Sequence, residues 1–200
     1  YCIQQTNDGG FIITGQSNYN LMLLKIDSEG NETWNREYGN WFNDENDLGR
    51  SVQQTIDGGY IISGSTKSTV NGNGNWGILL LKTDDQGNEE WVKIFGPNGP
   101  EEDDKGFHST ITSDGGYVVV GYIGNSKDVY LVKTDQDGNE EWNQTYGGVY
   151  TDFGRFVQET SDGGFIITGN TESFGNSSYG NPDIWLIKTD SEGNTKPYGD

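Results

Sequence analysis

The sequence predicts an all-β fold, a β-propeller of four-stranded antiparallel blades, from three observations. The stretch Asp57-Gly58-Gly59-Tyr60-Ile61-Ile62-Ser63-Gly64 returns as Asp8 to Gly15, Asp114 to Gly121 and Asp162 to Gly169. A second block, Leu80-Leu81-Lys82-Thr83-Asp84 followed by Gly87-Asn88 and Trp91, trails each copy: it recurs from Leu23 to Trp34, from Leu131 to Trp142 and from Leu186 to Asn194, where Pro197 stands in place of the Trp. Each repeat also breaks into short runs separated by turn residues, none long enough for a helix. Self-similarity at a period of about fifty residues marks a stacked array or a propeller, in which one unit cannot bury its own apolar faces.

The runs of one repeat follow in order. The first, Ser51 to Thr55 and its copies, would line the central channel, with Gln4, Gln53, Thr110 and Gln158 in one tier and Thr6, Thr55, Thr112 and Thr160 in another. One tier is expected to face water or a small polar ligand and the other to bond neighbouring blades. Asp-Gly-Gly then supplies a turn, and Tyr60 to Ser63 the second strand. The third run (Leu21 to Leu24, Ile78 to Leu81, Val129 to Val132, Ile184 to Ile187) is apolar without alternation, so both of its faces should be covered. The fourth keeps aromatic residues four apart, in Trp34/Tyr38, Trp91/Phe95 and Trp142/Tyr146, among polar neighbours, as an outer strand packed on one face would. The blades fall at about 1–48, 49–104, 105–152 and 153–200 in a single domain. Two alternatives stay open, a closed four-bladed ring or the last four blades of a larger one. Pro197, unable to donate to a ladder, suits a terminal edge.

The run Lys82-Thr83-Asp84-x-x-Gly87-Asn88-x-x-Trp91, with its aromatic-Gly sequel, resembles the blade motif of quinoprotein-type propellers. The full repeat is similar to that of prokaryotic secreted β-propeller repeat proteins built on DGGYIIxG, LLKTDxxGNxxW and YGG. The resemblance spans essentially the whole chain. It implies a propeller and an extracellular or cell-surface location, and little about activity, because the quinoprotein-like group includes non-enzymatic scaffolds.

A formal net charge of −19 disfavours nucleic acid and anionic lipid as partners, and no apolar run is long enough for membrane insertion. One cysteine, Cys2, excludes an intrachain disulfide. The sequons at Asn31, Asn143 and Asn176 are compatible with secretion. Oligomeric state is not legible.

The chain reads as non-enzymatic. His108 is the only histidine, in a first-strand position held elsewhere by Cys2, Ser51 and Phe156, and its reading is a structural one. With one His and one Cys far apart, nucleophilic catalysis has no candidate set, and no pocket for a quinone is evident, so no cofactor is expected. Calcium is the one metal to weigh, at Asp135, Asp137, Glu102 and Asp104. However, the sister turns keep only Asp, Gly and Asn, the residues a tight hairpin requires, and the hairpin reading outweighs the metal.

Departures from the repeat gather in the loops of one side, those joining second to third strands and outer strands to the next blade. They carry Trp41, Phe42, Trp76, Phe174 and Tyr179 beside acidic clusters. Exposed aromatic rings next to Asn, Asp and Glu suit a glycan, and equally a protein ligand. The expected function is therefore an extracellular binding or adhesion module with a variable loop face. The alternative is a structural spacer of a surface protein, with the aromatic residues capping blade ends.

Overall fold

The computed structural model describes residues 1–39, 46–68, 75–96, 104–124, 127–175 and 181–195. Among these lie fifteen β-strands, and no helix long and apolar enough to cross a membrane. The strands make four antiparallel sheets in which chain neighbours are sheet neighbours, the up-and-down order of propeller blades. The first blade is β1 (Cys2–Gln5), β2 (Phe11–Ser17), β3 (Asn20–Ile26) and β4 (Glu32–Tyr38), and the second is β5 (Asp47–Gln54), β6 (Tyr60–Ser68), β7 (Asn75–Thr83) and β8 (Glu89–Phe95). The third is β9 (Lys105–Ile111), β10 (Tyr117–Ile123), β11 (Asp128–Thr134) and β12 (Glu140–Tyr146). The fourth comprises β13 (Asp152–Glu159), β14 (Phe165–Thr171) and β15 (Asp183–Lys188), with a single bridge between Thr189 and Thr195 opening toward the expected outer strand. Pro197 lies outside the described residues. The chain divides into two compact units, residues 1–106 and 107–200.

In the first unit the strand period of two gives each blade two unlike faces. Leu21 and Leu23 of β3 share a face with Ile12 of β2, and this leading face packs on Val52, Ile62, Leu79 and Leu81, the trailing face of the second blade. A latch at the rim holds the pair. The Trp34 ring meets Tyr60 edge-on at 5.9 Å, and the Tyr38 hydroxyl donates to the Gly87 carbonyl at 2.5 Å. Gly87 is at φ +76°, and a Cβ there would lie 2.8 Å from the Trp34 ring, so both backbone conformation and the incoming indole demand glycine. On the inner side Gln4 accepts from the Gln54 amide at 2.7 Å and Gln54 from the Asn7 amide at 2.8 Å.

The second unit repeats the arrangement. Val118, Val120, Val129 and Leu131 of the third blade pack on Val157, Phe165, Ile167 and Ile187 of the fourth. Trp142 lies 5.7 Å from Phe165, Tyr146 donates to the Gly193 carbonyl at 2.6 Å, and the Glu159 carboxylate accepts from the Ser113 amide and hydroxyl.

Within each of the first three blades a buried lysine joins the two hairpins. Lys25, Lys82 and Lys133, at the ends of the third strands, have side chains only 5–6% exposed, and each pairs with the aspartate of the Asp-Gly-Gly turn, Asp8, Asp57 or Asp114, at 2.8–2.9 Å. Lys82 and Lys133 each add a second carboxylate, Glu90 and Glu141. Burial pushes the Asp57 carboxyl up, but the Lys82 ammonium, the Thr55 hydroxyl and the Gly59 amide outweigh it and hold the group at about 2.

The expectation that every third strand is covered on both faces needs correction. Ile78 to Leu81 and Val129 to Val132 are buried throughout, but in β3 Met22 and Leu24 are half-exposed, and in β15 Ile184 and Leu186 stand in solvent. Within the units, the first blade packs through its leading face and the fourth through its trailing face.

Two outcomes check this account. Trp34→Ala or Trp142→Ala should cost about 2–4 kcal/mol in urea melts, somewhat under a fully buried aromatic truncation because both rings are half-buried. Asp8→Asn, which strips the carboxylate from buried Lys25, should cost about 1–2 kcal/mol, well below a fully buried pair because Asp8 itself is open to water. Asp162→Asn should cost less than Asp8→Asn, since its partner Lys188 is 44% exposed.

Candidate functional site

The two polar tiers of the first strands have separate tasks. Each threonine, Thr6, Thr55, Thr112 and Thr160, donates to the aspartate two residues on, which also accepts from the second glycine amide, so this tier closes the Asp-Gly-Gly turns. In the other tier Gln4 bonds the next blade, Gln53 and Thr110 are half-buried and Gln158 is exposed. Gln4, Gln54 and Glu159 make inter-blade bonds on the inner side, and Gln54 and Glu159 occupy a position the sequence pattern did not single out.

Asp135 is committed to its own hairpin. Its carboxylate accepts from the Asp137 and Asn139 amides and from the Asn139 side chain at 2.8–2.9 Å, as Asp27, Asp84 and Asp190 do in theirs. Asp137 contributes its backbone amide and points outward as an exposed residue. Asp104 is buried against Gly96, and its amide donates to the Trp76 carbonyl at 3.1 Å. Glu102 lies outside the described residues. Among the described residues no group of three or more His, Cys, Asp or Glu side chains converges as metal ligands would.

His108 is packed. Its ring lies 3.9 Å from that of Phe156, Nδ1 accepts from the Val157 amide at 3.5 Å, and burial pushes the imidazole down to about 4.

Of the five loop aromatics, Trp41, Phe42 and Tyr179 lie outside the described residues. Trp76 is half-buried with the Lys105 ammonium 4.9 Å above its ring, so one face of the indole is taken by the protein's own cation. Phe174 is different. It is 44% exposed and its ring stands 5.1 Å from that of Trp185 on β15. The loop that presents it is tied down: the Thr171 hydroxyl accepts from the Ser173 and Phe174 amides, and the Ser173 hydroxyl sits 2.8 Å from the Asp152 carboxylate and 3.0 Å from the Tyr150 carbonyl.

Phe174 and Trp185 form one end of a groove of about 1100 Å³ along the edge of β15. Tyr146 and Leu186 make its walls, and the Lys188–Asp162 ion pair, at 3.0 Å, and Asn194 supply polar groups. The apolar run Ile184 to Ile187 predicts that Trp185 is covered; the structure makes it half-buried, packed on the core of the third and fourth blades and paired with Phe174. The signal that marks it is positional: the equivalents Met22, Leu79 and Tyr130 are followed by a paired outer strand, whereas Pro197 replaces the Trp downstream of Trp185.

No protein-family model matches the chain, and no curated protein matches it. Among solved structures it is similar to a protein of unknown function from Bacteroides caccae, at 13% identity over 96% of this chain and 78% of the other, with a TM-score of 0.41. It is also similar to an α-L-arabinofuranosidase from Clostridium thermocellum, at 12% identity over 95% and 71% of the two chains, with a TM-score of 0.47.

The packing of His108 predicts a pH dependence. Its folded value lies below that of the free side chain, so the unfolded chain binds the proton first as pH falls. Stability should drop by about 1–3 kcal/mol between roughly pH 6.5 and 4, then level off for this group. The turn aspartates act lower, their stabilisation being lost as pH falls from about 4 toward 2. Urea melts of His108→Leu should lose the upper limb and keep the lower.

Proposed function

We propose that this chain is a non-enzymatic, extracellular binding module whose ligand is a glycan held in the groove along β15. The observation that carries the reading is the exposed Phe174 ring paired with the half-buried Trp185 ring beside the Lys188–Asp162 pair and Asn194. Sugar C–H faces stack on aromatic rings, and sugar hydroxyls bond to carboxylate, ammonium and amide groups at the margin. The Ser173 anchor supports a preformed platform, which keeps the ordering cost of binding low. Catalysis has no support among the described residues. His108 is stacked and used as an acceptor, and the turn aspartates are consumed by their own hairpins.

A glycan array probed with and without calcium, followed by calorimetry on any hit, tests the proposal. Trp185→Ala and Phe174→Ala should each weaken binding about tenfold or more, while Trp76→Ala, outside the groove, should leave it unchanged. An array silent in both conditions would favour the spacer reading instead.

A further inference from the structure

One hydrogen bond recurs where the chain passes from a blade to the next. An aspartate at the blade junction donates its amide to a carbonyl near the start of the preceding third strand: Asp47 to Tyr19 at 2.7 Å, Asp104 to Trp76 at 3.1 Å and Asp152 to Lys127 at 2.9 Å. The residue after each acceptor, Asn20, Gly77 or Asp128, is thereby brought against a buried aspartate. In the first unit the two side chains flank one point, since a Cβ at Gly39 would lie 2.5 Å from Asn20 Oδ1 and 2.7 Å from Asp47 Oδ2. In the second unit Asp128 Oδ1 is the atom nearest to such a Cβ at Gly147, and the next amide, that of Gly148, donates to Asp152 Oδ2 at 2.9 Å. Of the three junctions, this one alone sets two carboxylates against each other.

Asp152 is fully buried and short of donors. Its Oδ2 takes the Gly148 amide and lies 2.8 Å from the Ser173 hydroxyl, whose one proton is shared with the Tyr150 carbonyl at 3.0 Å, while Oδ1 has no partner. Among the described residues no lysine or arginine pairs with it, in contrast to the aspartates of the lysine clasps. A carboxylate removed from water without a counter-charge is costly. We propose that this junction, wholly inside the second unit, binds a calcium ion between Asp128 and Asp152. The two carboxylates supply the charge, the Tyr150 carbonyl and Ser173 hydroxyl stand close by as neutral oxygens, and water completes the shell. Calcium accepts such an irregular oxygen set, whereas magnesium demands a near-ideal octahedron. The site holds whether or not a glycan binds along β15.

Calcium chloride titrated into chelator-treated protein, followed by calorimetry and by thermal melts, tests this. The wild-type chain should bind calcium with a Kd on the order of 10⁻⁴–10⁻³ M, the range of sites with few charged ligands, and its Tm should rise, with magnesium reproducing little of either effect. Asp128→Asn installs the residue type that the first blade carries at this position, so the variant should fold. It should weaken calcium binding about tenfold or more and remove the calcium shift in Tm. Asp152→Asn should do the same. Asp137→Asn removes an exposed carboxylate elsewhere and should respond as the wild type does, which separates the site from the general attraction of a chain at −19 for cations. A wild-type chain that binds no calcium overturns the proposal, as does calcium binding retained in Asp128→Asn or a response that magnesium reproduces in full.

Discussion

A blade of this protein cannot be stable alone, and the rest of the structure answers that constraint. Each four-stranded sheet is apolar on both faces, so one sheet leaves at least one face in water unless another sheet stacks on it. The stacking is directional because the two faces differ, and the direction is enforced at the rim, where Trp34 and Tyr38, or Trp142 and Tyr146, reach over to the neighbouring blade. Gly87 and Gly193 complete the latch: their positive φ makes the hairpin, and their missing side chain makes room for the indole. One glycine therefore serves local turn chemistry and long-range packing together.

The lysine clasp shows how polar groups are carried in so thin a core. Lys25, Lys82 and Lys133 sit among apolar residues, yet each ammonium reaches a turn aspartate and the backbone carbonyl of the following residue, so its charge and hydrogen-bonding capacity are met. The aspartates stay open to water, which limits the desolvation cost on the anionic side. Lys188 has the same partner but lies 44% exposed. It lies beside Leu186, itself 60% exposed, and its exposure follows that of its surroundings.

The groove along β15 has the Phe174–Trp185 ring pair at one end. In the first three blades an outer strand pairs with the third strand, as β4 does with β3, and the aromatic residues of β4 and β12 reach the next blade. Among the described residues of the fourth, β15 pairs with β14 and the single Thr189–Thr195 bridge lies beyond it. Phe174 is exposed while Trp185 is half-buried against the core of the third and fourth blades, so the ring pair ties a loop to the stack.

The sequence by itself determined the strands, their order and their turns. Strand periodicity, Asp-Gly-Gly and Asp-x-x-Gly-Asn are local signals, and four copies of each leave little freedom in register. The hairpin role of Asp135 and the structural role of His108 were legible for the same reason, since their partners lie within a few residues or at a repeat-equivalent site. Tertiary structure alone decided what depends on the neighbouring sheet. It chose Gln54 and Glu159 for the inner-side bonds, put Lys105 over Trp76, and set Trp185 between Phe174 and the core of the third and fourth blades. Residues of like type, such as Leu23 and Leu186, differ in burial, Leu23 having a neighbouring sheet against it, and that is a property of the stack, which no single repeat encodes.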